Sequence, residues 1–187
     1  MKEAYRAIGP IYGTVLGKLI NGRFYMDWVK SNTKSIHGDT GAFYIGDGRY
    51  VDCYPRKRHT SEDAAIALSS FCMDTGTPGQ LKVDSAAEFT GRDTEFNKMT
   101  KKMGINVTYA EPDRHELNLI DNQIRENKKK WHDYKATRGV PARLWPYGIE
   151  HAAQVQQILA PVDGTESAFQ ATVGTTPDLT ELLDFAF

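Results

Sequence analysis

Three strand patterns follow one another near the start of the chain, and they constrain the fold more than any other feature. Residues 22–30 alternate apolar and polar side chains with the period of two that is typical of a β-strand. Residues 42–45 and 49–54 carry two further strand patterns, separated by a turn that contains Asp47 and Gly48. An Asp-Gly pair between two strands favours a tight hairpin. We therefore predict three antiparallel strands, with Asp27 inside or at the end of the first.

Helices and strands alternate in the rest of the chain. Hydroxyl and acidic side chains at residues 60–63 are typical of a helix start, and the glycines and proline of residues 76–79 end that helix. Strands are predicted over residues 80–83 and 105–110, and helices over 94–103, 117–134 and 147–159, followed by a loosely packed tail. This order predicts an α/β fold, a five-stranded mixed sheet flanked by helices. The predicted core spans residues 22–160, between a lead-in segment (1–21) and a C-terminal extension (161–187).

Composition excludes several classes of protein. A chain of 187 residues with 40% hydrophobic and 25% charged residues suits one globular domain. Its sequence contains no run of 18 apolar residues, so we expect no membrane span and an intracellular location. Cys53 and Cys72 are expected to be buried free thiols, because two cysteines form neither a disulfide framework nor a cysteine-rich zinc site.

Three aspartates stand where the predicted elements would deliver them to one edge of the sheet. Asp27 lies on the first strand, Asp84 directly follows the fourth, and Asp121 lies near the start of the long helix. Mg²⁺ prefers oxygen ligands, and two such ions can carry out phosphoryl transfer without a protein nucleophile. The alternative for each aspartate, taken singly, is a solvated surface residue or a helix cap.

Residues around these acids show a resemblance to a known family. Residues 22–27, 83–89 and 111–126 resemble the three motif blocks of integrase catalytic cores in copia-type LTR retrotransposons, and residues 143–147 and 174–185 resemble later segments. The separations also suit the family, with 56 residues between Asp27 and Asp84 and 36 between Asp84 and Asp121. The resemblance implies an RNase H-like fold and a polynucleotidyl transferase that uses two Mg²⁺ or Mn²⁺ ions held by these three acids.

The same resemblance implies DNA 3′-processing and strand transfer. Its partners would be retroelement ends and target DNA, with assembly as a homodimer or higher homo-oligomer and a nuclear location. Basic side chains are expected to contact backbone phosphates, although the formal net charge is only −1. The residues expected at nucleic acid are Arg125, Lys128, Lys129, Asn118 and Glu88. For Glu88, a hydrogen bond to nearby backbone is the alternative.

Two departures from the family pattern keep other functions open. Asp121 stands where the family normally carries Glu, although some related transposases resemble this chain in using Asp, and Ser85 stands where many relatives carry Asn. The five histidines show no paired spacing of the kind found in the zinc-binding segment that precedes the core of full integrases, so we expect a core fragment or a trimmed derivative. The alternatives are a catalytically impaired or domesticated module that acts in DNA binding or protein assembly, and an RNase H-type nuclease.

Overall fold

The computed structural model of the chain describes residues 19–91, 93–110, 118–159 and 165–177. Five strands form one sheet: β1 (Leu19–Lys30), β2 (Gly41–Gly46), β3 (Val51–Arg56), β4 (Thr77–Val83) and β5 (Asn106–Tyr109). Their order across the sheet is β3-β2-β1-β4-β5. Strands β1, β2 and β3 pair antiparallel, whereas β4 runs parallel to both β1 and β5. The predicted five-stranded mixed sheet is confirmed.

The turn between β2 and β3 follows from its sequence. Asp47 accepts hydrogen bonds from the backbone N–H groups of Arg49 and Tyr50 through Oδ1, at 2.8 and 2.7 Å. Gly48 adopts a φ of 97°, which costs glycine little and most other residues considerably more. The side chain of Asp47 and the backbone freedom of Gly48 together make the predicted hairpin.

Helices cover both faces of the sheet. They are α1 (Ser61–Asp74), α2 (Ala87–Thr90), α3 (Glu95–Lys102), α4 (Asn118–Arg138), α5 (Trp145–Ile158) and α6 (Ala168–Val173), with a 3-10 turn at Ala142–Leu144. Thr60 caps α1, because its hydroxyl accepts a hydrogen bond from the Asp63 N–H. Pro146 lies in the first turn of α5, where a missing N–H costs no helical hydrogen bond. Within the described residues, no helix combines the length and apolar character that a membrane crossing requires.

Two apolar clusters, one on each face, hold the layers together. The first packs α1, α2 and α3 against the sheet and includes Phe24, Met26, Leu68, Phe71, Leu81, Val83, Phe89 and Phe96. The second packs α4 and α5 against the opposite face and includes Tyr25, Tyr44, Val51, Ile120, Ile124, Trp131 and Ile149. Cys53 and Cys72 are both buried thiols, as predicted. Successive residues of β1 enter different clusters, because side chains along a strand alternate between faces.

One predicted strand boundary was wrong, and two short helices were not predicted. Strand β4 begins at Thr77, before the predicted start, and includes Pro78. The proline is tolerated there because the β5 pairing begins only at Gln80, so β4 has a neighbour on one side alone among the described strands. Helix α2 was not predicted. Nor was α6, which lies in the segment expected to be loosely packed and places Ala168 in the first core cluster.

Candidate active site

Asp27 and Asp84 lie at adjacent positions on neighbouring parallel strands. The register of β1 and β4 pairs Tyr25 with Lys82 and Met26 with Val83, so the next step along both strands brings Asp27 beside Asp84. Neighbouring strands are about 4.8 Å apart. Because β4 ends at Val83, Asp84 is the first residue beyond the strand.

Strand alternation determines the face to which both aspartates point. Met26 and Val83 belong to the cluster under α1–α3, whereas Tyr25 belongs to the cluster under α4 and α5. Asp27 is two residues from Tyr25 and Asp84 is one residue from Val83, so both carboxylates are directed to the α4 side of the sheet. The third predicted acid lies on α4.

A cleft of about 410 Å³ lies between the end of β1 and the first turns of α4. Asp27 and Asp121 both line it, which places the first and third predicted acids at one opening. Three basic side chains line the same cleft: Lys30, Arg125 and Lys128. A second pocket of about 180 Å³ between β3, α1 and α5 is lined by none of the three acids.

The electrostatics of Asp27 link all three acids. Burial is the largest influence on its carboxyl group and raises the pKa from 3.8 to about 6. The hydrogen bond from the Trp28 N–H, at 2.7 Å, opposes this rise in pKa, while the negative charges of Asp84 and Asp121 add to it and the charge of Lys128 lowers it. Asp84 and Asp121 are therefore both within electrostatic reach of Asp27.

The acids are not packed as a finished metal cluster. Among the described residues, no group of three His, Cys, Asp or Glu side chains stands close enough to hold a metal ion. The donor chemistry nevertheless fits Mg²⁺, since all three groups are carboxylates and the cleft beside them admits solvent. Oδ1 of Asp27 and Oδ1 of Asp84 each accept one backbone N–H, from Trp28 and Ala86. The second oxygen of each carboxylate forms no hydrogen bond within the described part of the chain.

Ser85 helps to fix the position of Asp84. Its hydroxyl donates to the carbonyl oxygen of Ala110, just beyond β5, at 3.0 Å. The Ala110 N–H donates in turn to the carbonyl oxygen of Val83, at 2.8 Å. The residue that departs from the family pattern therefore ties the chain around Asp84 to the neighbouring strand.

The residues predicted to contact nucleic acid are placed differently from one another. Arg125 and Lys128 are exposed and line the cleft, four and seven residues after Asp121 and so on the same side of α4. Lys129 is exposed on α4 but does not line the cleft. Asn118 begins α4, and its side chain lies outside what the structure describes. Glu88 is mostly buried, and its carboxylate contacts the ring of His59.

Two features of this region were missed in the sequence. Lys30, at the end of β1, lines the cleft three residues after Asp27, and its place at a strand end beside a predicted acid was the available signal. The ring of His59 stacks on that of Trp28, with centroids 4.8 Å apart and planes 8° from parallel. No local pattern connects two residues that far apart in the chain. Trp131 is buried in the second core cluster.

Comparison with known proteins gives structural matches only. No family model and no curated protein sequence matches the chain. A chain of the simian T-cell lymphotropic virus intasome, solved in complex with PP2A regulatory subunit B56 gamma, superposes with a TM-score of 0.69 at 17% identity, over 95% of this chain and 62% of that one. This chain therefore spans less than two thirds of that relative.

Two isolated catalytic cores match over almost their whole length. The HTLV-2 integrase catalytic core domain in complex with magnesium, in its dimeric form, gives a TM-score of 0.65 at 17% identity, over 83% of this chain and 99% of that one. The BIV integrase catalytic core domain gives 0.65 at 14% identity, over 81% and 93%. The chain therefore has the RNase H-like fold of retroviral integrase catalytic cores, the fold predicted from its sequence.

Proposed function

We propose that this chain is the catalytic core of a copia-type retrotransposon integrase, which carries out metal-dependent 3′-processing and strand transfer of DNA. The observation that carries the proposal is that the charges of Asp84 and Asp121 both act on the buried carboxyl group of Asp27, which lines the cleft together with Asp121. Three separate elements deliver these acids, and a raised pKa at such a position is typical of a functional site. The magnesium-containing HTLV-2 core supports the choice of metal.

In this proposal Asp27, Asp84 and Asp121 hold two Mg²⁺ or Mn²⁺ ions. Ions held by these residues would supply Lewis-acid chemistry that activates a water or 3′-hydroxyl and stabilises the leaving oxygen of an in-line displacement. The backbone N–H groups of Trp28 and Ala86 orient one oxygen of Asp27 and Asp84, respectively, so that the other oxygen is available as a ligand.

DNA is the proposed partner because basic side chains border the acids. Lys30, Arg125 and Lys128 line the cleft, at positions suited to phosphate oxygens on either side of the reacting bond. Lys129 and Asn118 remain predicted DNA contacts, whereas Glu88 is mostly buried against His59. Sequence selectivity is not expected from contacts of this kind, since they address the backbone.

Self-association is the second proposed property. The HTLV-2 core was solved in dimeric and trimeric forms. Ile66 and Met73 of α1 are 53% and 62% exposed and lie seven residues apart, so they form an apolar stripe on one side of that helix. We propose a homodimer or higher homo-oligomer that acts in the nucleus, and sedimentation of Ile66→Glu against the parent chain tests the oligomer.

Nicking of supercoiled plasmid DNA in Mn²⁺ tests the activity. We expect Asp84→Asn to reduce the rate at least about 100-fold, because loss of even an indirect metal partner commonly costs about 10–100-fold. Asp133→Asn is the matched control, since Asp133 is exposed on α4 and does not line the cleft. Equal rates for the parent and Asp84→Asn would rule the proposed activity out.

One observation favours a second candidate, a module that has the fold without the catalysis. The described acids are not close enough to form a ready metal cluster, and Asp121 is one methylene shorter than the family's Glu. Calorimetric titration with Mg²⁺ separates the two. An active core binds the ion and loses that binding in Asp27→Asn, whereas a non-catalytic module shows no binding that depends on Asp27.

A further inference from the structure

A group of three side chains lies beside the first apolar cluster, on the side of the sheet that α1 and α2 cover, and one of the three, Trp28, also lines the cleft. The group consists of Trp28, His59 and Glu88, from β1, the loop before α1, and α2, respectively. His59 stacks on the indole of Trp28, and its Nε2 contacts Oε1 of Glu88. The imidazole of His59 thus contacts both β1 and α2, which are not joined by strand pairing at this point.

Both partners of His59 adjoin a proposed metal ligand. Trp28 follows Asp27, and its N–H donates to Oδ1 of that aspartate. Glu88 lies four residues after Asp84, on a helix whose N-cap residue, Ala86, donates its N–H to Oδ1 of Asp84 at 3.2 Å. His59 therefore bridges the two segments that present the first two carboxylates.

The environment of Glu88 makes this bridge hard to replace. Its side chain is only 9% exposed, and a buried carboxylate is costly unless a donor or cation faces it. Oε1 of Glu88 receives no well-aligned hydrogen bond within the described residues, so the His59 contact acts through proximity of charge and dipole rather than through a linear bond. Without His59, the carboxylate would turn toward water.

The other end of α2 is held independently. Asn97 donates through Nδ2 to the carbonyl oxygens of Phe89 and Gly91, at 2.8 and 2.6 Å. Tyr109 donates its hydroxyl to the same Phe89 oxygen at 3.0 Å. Loss of His59 should therefore release the end of α2 that is nearest Asp84 and leave the rest of the helix in place.

We propose that His59 is a positioning residue that sets the separation of Asp27 and Asp84 and thereby the affinity of the site for divalent cations. The inference rests on the proposed function, since it concerns the same metal site. It assigns Glu88 to the support of that site through His59. Because the two carboxylates repel each other, a fixed separation must be maintained by contacts behind them, and His59 makes the contacts that reach both segments.

The test follows Mn²⁺ binding and the Mn²⁺ dependence of plasmid nicking with the full chain. In His59→Ala we expect the Mn²⁺ concentration for half-maximal binding and nicking to rise about 10-fold or more, as for other groups that orient metal ligands. Nicking at saturating Mn²⁺ should stay within about threefold of the parent, because the ligands themselves remain. His132→Ala, an exposed histidine on α4, is the matched control and should leave both values unchanged.

Two conservative variants keep the test sharp if His59→Ala folds poorly. His59→Phe retains the stack on Trp28 without Nε2, and Glu88→Gln removes the charge at nearly constant shape. Both should shift the metal dependence in the same direction as His59→Ala, by a smaller factor. Urea denaturation of each variant shows whether the fold is intact.

Three outcomes would overturn the inference. An unchanged Mn²⁺ dependence in folded His59→Ala and His59→Phe would remove His59 from the site while leaving the proposed function intact. Loss of nicking at every Mn²⁺ concentration, together with a lower urea midpoint, would make the role of His59 purely structural. A parent chain that binds no Mn²⁺ would overturn the proposed function as well, so the two failures are distinguishable.

Discussion

Replacement of Asp27 by asparagine should stabilise the metal-free protein, by an amount that grows with pH. The folded state raises the pKa of this carboxyl from 3.8 to about 6, chiefly through burial and then through the charges of Asp84 and Asp121. A folded pKa above the unfolded one means that the folded state binds the proton more tightly. Parent stability therefore falls as pH rises from about 4 to about 6, and asparagine removes that loss.

The size of the effect follows from the two pKa values. Each pKa unit of difference between the folded and unfolded states corresponds to about 1.36 kcal/mol. Ionisation of Asp27 therefore lowers the parent's free energy of unfolding by roughly 3 kcal/mol at pH 7.5 and roughly 1 kcal/mol at pH 4.5. Asparagine retains an oxygen that can accept the Trp28 N–H. The stability of Asp27→Asn relative to the parent should thus be roughly 2 kcal/mol more favourable at pH 7.5 than at pH 4.5.

Urea denaturation at the two pH values, followed by tryptophan fluorescence, measures this difference. With a slope of about 2 kcal/mol per molar urea, the relative midpoint should move by about 1 M. Asp133→Asn, on the exposed side of α4, should stay within about 0.5 kcal/mol of the parent at both pH values. A relative stability that is equal at pH 4.5 and 7.5 would refute the reasoning.

Mg²⁺ extends the same experiment to the proposed site. A cation bound only by the folded state stabilises it by mass action. At pH 7.5, Mg²⁺ at 100 times its dissociation constant should therefore raise parent stability by about 2.7 kcal/mol and Asp27→Asn by much less. Equal stabilisation of both proteins would indicate binding elsewhere.

Three further perturbations test separate parts of the structure. Lys128→Glu should weaken binding of unrelated DNA sequences alike and reduce the slope of log affinity against log salt by about 1, and an unchanged slope in filter binding would exclude a phosphate contact. Gln123→Met should raise the free energy of unfolding by about 1 kcal/mol, because Gln123 is 4% exposed and its side-chain amide has no hydrogen-bond partner among the described residues. A lower urea midpoint for this variant would contradict the prediction. Gly148→Ala should lower the free energy of unfolding by about 1–3 kcal/mol in the same assay, because the new Cβ would lie 2.2 Å from Cε3 of Trp131. Gly79→Ala is the control, since its Cβ would meet nothing within 4 Å, and equal urea midpoints for the two variants would refute the clash.

The positions of Asp27 and Asp84 could be anticipated because strand patterns are local. Alternation along residues 22–30 identifies a strand, and the short alternating pattern of residues 80–83 ends directly before Asp84. Asp27 and Asp84 share a face because side chains alternate between the two faces of the sheet along each strand. The register between β1 and β4 is a long-range property, set by which apolar side chains pack together, and it had to come from the structure.

Other elements were missed for two different reasons. Helix α2 is four residues long and its N-cap, Ala86, has no hydroxyl, so neither periodicity nor a capping signal marks it. Helix α6 has a signal at each end, because Ser167 caps its start and Gly174 ends it with a φ of 81°, but it is only six residues long and too short to show a helical period. The stack of His59 on Trp28 depends on the path of a loop, for which the sequence offers no rule.

The cost of charge at Asp27 bears on the choice between an active core and a module without catalysis. Small domains are commonly stable by about 5–15 kcal/mol, so roughly 3 kcal/mol spent on one ionised aspartate is a substantial fraction. A binding module that never meets a metal would gain stability from any neutral residue at position 27. A metalloenzyme regains the loss when a cation neutralises the three acids, because the cation favours the ionised form that burial disfavours. The decisive contrast for the proposed catalytic function is therefore whether Mg²⁺ removes the pH-dependent penalty in the parent chain.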